Sequence, residues 1–294
     1  MKHLTLAVLL AALTLLLSAT AAAKEPGRVA LVIGNNAYKG APLKNPINDA
    51  RAVATTLRRL GFRVVVLLNA DQAKLTSGLE TFRGALEEGG VGLFYFAGHG
   101  MQVAGQNWLL PTQAAFASEA DVTRGALSVD TVLAEMKEAR LSASLVILDA
   151  CRNNPFEGKG TARGLAFMNA SAGMLLAFAT SPDSVAADGE GRHGVYTEAL
   201  LREMKVKGRP IEEVFRRVRN AVEEKTGGRQ TPWESSSLVT GFSFNPSADP
   251  KEGPSVGDTR IACDVLRKKA RRLMLEGDDR GHQKIMREIR ETCR

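Results

Sequence analysis

Cysteine is scarce in this chain of 294 residues: there are three, an odd number that cannot all pair, so a small disulfide-dominated scaffold is excluded. Aromatic residues make up only 5%, and histidine chemistry has just four bearers. Charge of one sign is also lacking. Lys and Arg number 39 against 32 Asp and Glu, a net charge of +7. The basic residues are spread along the chain, whereas nucleic-acid binding usually clusters them on one face or helix, so no nucleic-acid partner is expected. The densest patch, Arg267-Lys268-Lys269 with Arg271-Arg272, reads first as a solvated helix face and second as a contact for an anionic surface. A phosphate cradle is missing too: Gly34-Asn-Asn-Ala-Tyr-Lys-Gly40 is neither a P-loop nor a GxGxxG turn. What remains is ordinary globular composition, 44% hydrophobic and 24% charged, with length for one large domain or a domain plus an appendage.

Long apolar runs are absent beyond the first 23 residues. Lys2 precedes the run Leu4–Leu17, broken only by Thr5 and Thr14, and Ala21 and Ala23 suit a cleavage site before Lys24. The run is short for a membrane span and fits a signal-peptide core, with an uncleaved anchor as the alternative. Residues 1–23 are therefore expected to be a signal peptide, and the mature protein to be periplasmic or secreted, without a stable membrane span. Export changes the reading of the cysteines, because thiols outside the cytosol tend to pair. Cys263 and Cys293 share the C-terminal segment, while Cys151 stands far upstream at the end of an apolar strand. Cys151 is the candidate reactive thiol.

From Arg28 to about Gly241, short β-rich runs alternate with helical stretches. Strands are expected at Val29–Ile33, Phe62–Leu68, Val91–Phe96, Gln106–Leu110, Ala143–Leu148 and Gly173–Ala179. Helices are expected from Asn45-Pro46 to Gly61, at Leu75–Leu86, Val129–Met136, Tyr196–Met204 and Ile211–Glu224. Continuous apolar strands alternating with helices imply an α/β fold whose mostly parallel sheet is covered on both faces. Ligands then bind at the carboxyl ends of the strands. His99 and Cys151 both read as lying just past such ends. Residues 24–244 are expected to form the main domain and 245–259, rich in Pro, Gly and Asp, a linker. Residues 260–294 read as a helical hairpin, Arg260–Leu275 and His282–Thr292, that a Cys263–Cys293 disulfide would staple by about 3–4 kcal/mol.

A thiol becomes a strong nucleophile beside a base or cation. His99, between Gly98 and Gly100, is the best-placed base; His3 lies in the leader, His282 in the tail and His193 in a Gly-rich loop. The segments Phe94-Tyr-Phe-Ala-Gly-His-Gly100 and Leu148-Asp-Ala-Cys-Arg-Asn-Asn-Pro155 resemble the caspase superfamily, and within it the bacterial metacaspase-like branch. Val32-Ile-Gly-Asn-Asn-Ala-Tyr38, Asn48-Asp-Ala50 and Gln230-Thr-Pro-Trp233 are similar too, so the resemblance covers Arg28 to roughly Phe244. The histidine stands about 50 residues upstream of the cysteine, as it does in caspases.

The resemblance implies a caspase-like sandwich with Cys151 as nucleophile and His99 as general base and acid. It implies an oxyanion hole from the peptide N–H groups of Gly100 and Cys151, and protein or peptide substrates. No metal or cofactor is needed for the chemistry, although some relatives use calcium. Asp183, Asp188 and Glu190 form an acidic loop without EF-hand spacing, so a calcium site is not predicted. True caspases carry Gln two residues before the cysteine and bind aspartate; here that position is Asp149. Asp49 matches a second acidic position of the metacaspase pocket. Two carboxylates in one pocket favour Arg or Lys at P1, the residue before the cut. The plainer alternatives are that Asp49 complements a helix N-terminus and Asp149 bonds nearby backbone. Lys159 and Arg163, in the loop after Cys151, become candidate self-cleavage points. Trp233 either lines a substrate subsite or packs on the sheet edge. The competing function is a non-proteolytic binding module on the same fold.

Overall fold

The computed structural model describes residues 27–113, 116–152, 165–181 and 191–246, with the backbone alone at 151–152, and scattered helical positions between 267 and 289. The leader, Lys159, Arg163, the acidic loop from Asp183 to Glu190, and the Cys263–Cys293 pair lie outside the described residues.

Among the described residues, eight strands form one sheet: β1 (Arg28–Gly34), β2 (Phe62–Leu68), β3 (Val91–Val103), β4 (Gln106–Leu109), β5 (Leu127–Ser128), β6 (Ala143–Arg152), β7 (Met174–Phe178) and β8 (Trp233–Ser236). The order β2-β1-β3-β6-β7-β8 is parallel as far as β7; β8 is an antiparallel edge, and β4 pairs antiparallel with the far end of β3. The central strands are apolar at successive positions because both faces are covered. On β3, Leu93, Tyr95 and Ala97 face one layer and Phe94 and Phe96 the other. The first layer holds α1 (Pro46–Arg59), α5 (Val195–Glu203) and α6 (Ile211–Thr226), and the second α2 (Gln72–Ala85) and α4 (Val129–Glu138). A seven-residue α3 (Glu119–Gly125) buries only Val122.

Local chemistry explains the boundaries. Pro46 starts α1 with its fixed φ, and Arg58 and Arg59 in the last turn complement the helix dipole. The Asp71 carboxylate accepts the Lys74 N–H at 2.9 Å to cap α2. α6 presents Ile211, Val214, Phe215, Val218 and Val222 to the sheet at helical spacing and ends at Gly227, whose φ of 62° is left-handed. Among the described residues, no helix is long and apolar enough to cross a membrane.

One expectation about the strands is corrected. His99 and Cys151 do not lie past strand ends; both sit inside the ladder, with His99 and Cys151 paired in register between β3 and β6. β1 stops at Gly34 opposite Ala97, but β3 runs on because β6 continues beside it and β4 folds back onto its freed edge at Gly100–Val103. The chain goes from β1 out to β2 and returns on β1's other side to β3, so this is where the strand order reverses, the place at which open parallel sheets bind ligands. By its own contacts the chain divides into 1–245 and a smaller unit, 246–294.

Candidate active site

Adjacent parallel strands are about 4.8 Å apart, so the register of β3 and β6 makes His99 and Cys151 neighbours through backbone geometry alone. His99 is 6% exposed and tightly held. The segment after β1 has no strand to follow and falls across the end of β3, beginning with Asn35 N–H donating to the Ala97 carbonyl at 2.9 Å. Tyr38 from that segment accepts the His99 backbone N–H at 3.0 Å, donates to the Leu110 carbonyl at 3.1 Å, and lays its ring 4.4 Å from the imidazole. The His99 Nε2 lies 2.8 Å from the Ala41 carbonyl oxygen. A carbonyl only accepts, so Nε2 is the donor in this contact.

The two acidic residues come together at Gly194, which precedes α5. A Cβ there would meet Asp49 Oδ2 at 3.2 Å and Asp149 Oδ2 at 3.4 Å, so the two carboxylates border one small space. Asp49, 2% exposed in the first turn of α1, accepts the Gly194 N–H at 3.1 Å through Oδ2 and at 3.3 Å through Oδ1. It thus stands at two helix N-termini, both of which favour a carboxylate. Asp149, near the end of β6, accepts the Thr197 hydroxyl at 2.6 Å. That hydroxyl has one proton, so the Tyr95 hydroxyl, 2.6 Å away, donates to Thr197 in turn. Burial first, then the negative charges of Asp149 and Asp49, push Tyr95 well above the ordinary phenol range, so it stays a donor. Asp49 therefore does face a helix N-terminus as the plainer alternative had it, while Asp149 bonds the Thr197 side chain.

Sequence reasoning set His193 aside as a loop residue, yet its Nδ1 lies 2.7 Å from Asp49 Oδ1. It also gave Tyr38, Ala41 and Thr197 no role at the site. The motif Val32–Tyr38 pointed at the right loop without saying which atoms it contributes. Trp233 opens β8, 41% exposed, with its ring 5.8 Å from that of Phe167. Both rings border a narrow apolar cleft with Leu148, Ala150, Phe178 and Thr180, at the carboxyl ends of β6 and β7. Neither Asp49 nor Asp149 lines that cleft. Among the described residues, no three His, Cys, Asp or Glu side chains gather as a metal site.

Comparison with known proteins bears on this arrangement. The family model described as the caspase domain matches residues 27–243. The human mucosa-associated lymphoid tissue lymphoma translocation protein 1 and its mouse homologue are each 33% identical over 126 residues. That stretch is 42% of this chain but only 15% of those proteins. Among solved structures, caspase-1 from Spodoptera frugiperda superposes with a TM-score of 0.56 at 17% identity, covering 76% of this chain and 93% of that one, a likeness of fold.

Proposed function

Because the chain belongs to the caspase-domain family, we propose that it is an exported cysteine endopeptidase that cuts after Arg or Lys with a Cys151–His99 pair. The observation that carries this reading is the in-register pairing of His99 with Cys151, with His99 Nε2 donating to the Ala41 carbonyl. In this mechanism Nδ1 takes the Cys151 thiol proton and the thiolate sulfur attacks the substrate carbonyl carbon. The resulting oxyanion is held by the Gly100 and Cys151 N–H groups, donors commonly worth about 3 kcal/mol each. Collapse breaks the C–N bond, and the imidazolium returns its proton to the leaving amine. Water, deprotonated by the same nitrogen, then hydrolyses the thioester and restores the thiol. Ala41 serves the ring as a carbonyl orienter, so no third catalytic side chain, metal or cofactor is required.

Asp49 and Asp149 supply the pocket for the P1 cation, where a guanidinium makes paired charge-assisted hydrogen bonds. Trp233 with Phe167 offers an apolar subsite beside the nucleophile. Lys159 and Arg163, being basic, are sites at which the enzyme processes itself. A chloromethyl ketone peptide ending in Arg tests the reading. It should alkylate Cys151 in the wild type, seen as a mass shift on the Cys151 peptide, and at least about 100-fold more slowly in His99→Ala. An inert Cys151 toward reagents ending in Arg, Lys and Asp would favour a non-proteolytic binding module instead.

A further inference from the structure

The acidic pocket contains a third ionisable side chain. His193, 23% exposed at its side chain, donates from Nδ1 to Asp49 Oδ1 at 2.7 Å, while the next residue's N–H holds the same carboxylate. Asp49 itself is 3% exposed at its side chain. The imidazole therefore covers the solvent side of a buried pocket acid rather than decorating the surface. We propose that His193 is a specificity-determining residue, which governs how strongly the acidic pocket binds a cationic side chain. The inference rests on the assignment of Asp49 and Asp149 to the P1 pocket.

A neutral imidazole with its proton on Nδ1 bonds Asp49 without adding charge, so the negative charge of the two carboxylates that attracts a guanidinium or ammonium group is undiminished. Protonation at Nε2 adds a positive charge beside Asp49 and places like charges together once a cationic side chain enters. The groups that face His193 are Asp49 from α1, Asp149 across Gly194 from β6, Glu198 on α5, Lys205 just beyond α5 and the adjacent Arg192. Glu198 is itself paired with Lys225 of α6. Burial first, then Arg192, hold His193 below the ordinary imidazole value against the pull of Glu198. The neutral form is therefore the one present near pH 7, and acidification switches it. The sign follows: affinity for a cationic side chain is full above the His193 transition and falls as pH drops through it. An uncharged side chain should feel no such change.

By linkage, a bound cation must lower the His193 transition by the same factor that protonation weakens the cation. The test uses full-length Cys151→Ala protein, which cannot turn over, and a short peptide amide ending in arginine as probe. A matched peptide ending in citrulline is the uncharged control. Between about pH 7.5 and 5, the arginine probe should weaken roughly ten-fold, the equivalent of one pH unit, in Cys151→Ala. It should change less than about two-fold when His193→Gln is added, since glutamine keeps a donor for Asp49 without titrating. NMR of the His193 ring in Cys151→Ala reads the reciprocal effect without any change at position 193, and a transition unmoved by saturating arginine probe would overturn the proposal. So would an equal weakening in both proteins. If the arginine probe binds at no pH, the proposal falls together with the basic-P1 reading. If wild-type enzyme cleaves after Arg with a pH profile that His193→Gln leaves unaltered, only the role of His193 falls.

Discussion

Gly98 has no room for a side chain: a Cβ would lie 2.5 Å from Tyr38 Oη and 3.0 Å from the Phe96 ring. Tyr38 in turn holds the His99 backbone. Gly98→Ala should therefore displace Tyr38 and lower kcat by at least about ten-fold with KM little changed. Tyr38→Phe keeps the ring but leaves the His99 N–H without its acceptor, at about 1–3 kcal/mol in a denaturant titration. Asp149→Asn keeps an oxygen for Thr197 and removes one charge. Its kcat/KM on an Arg peptide should fall about 10- to 100-fold, the worth of a charge-assisted hydrogen bond, with cleavage after uncharged residues unaffected. Much of the site was legible in the sequence. Cys151 and His99, the proposed catalytic pair, are residue types that can carry chemistry and stand in distinctive motifs, and Asp149 is two positions before Cys151. The His193–Asp49 contact spans 144 positions and joins a loop to a helix, so no local pattern announces it. The Ala41 contribution is a backbone oxygen, which any residue could supply.

Strands and helices were readable where burial imposes a pattern. β1, β2, β3, β6 and β7 are continuous apolar runs, and α6 keeps its apolar residues at helical spacing. The elements that escaped have little to bury: α3 hides one valine, β5 is two residues long, and β8 reads Trp-Glu-Ser-Ser. The length of β3 escaped for a different reason, because its last residues are held by β4 and β6 rather than by apolar packing on both faces. α1 carries Asp49 into the pocket and is anchored by Leu57, which is 0% exposed. Leu57→Ala should destabilise the domain by about 2–5 kcal/mol, measured by denaturant unfolding. On α6, hydrogen bonds first from Arg216 and then from Arg217 hold the Glu213 carboxyl at about 2. A depressed carboxyl contributes stability above its unfolded value, lost as pH falls through about 2. Carboxyl-carbon NMR should accordingly find Glu213 still ionised at pH 3; a midpoint near the ordinary glutamate value would contradict the pairing.

Parallel sheet and two-sided burial followed from composition and alternation, but the strand order did not. No run of residues says that β3 returns to the far side of β1, and that reversal lies beside the end of β3 that carries His99. The proposed site draws on five features: the proposed base His99, the proposed nucleophile Cys151 in register with it, two carboxylates, a histidine on one of them, and an apolar cleft at the ends of β6 and β7. Each draws on a different part of the 27–243 caspase domain, so the site exists only when that domain is folded. The most direct measurement is hydrolysis of matched fluorogenic peptides ending in Arg, Lys and Asp, by the wild type and by Cys151→Ala, with and without calcium. Cleavage after Arg and Lys, abolished in Cys151→Ala and indifferent to calcium, is the predicted result. Cleavage after Asp alone would contradict the roles of Asp49 and Asp149, and activity that survives in Cys151→Ala would contradict the central claim that this cysteine is the nucleophile.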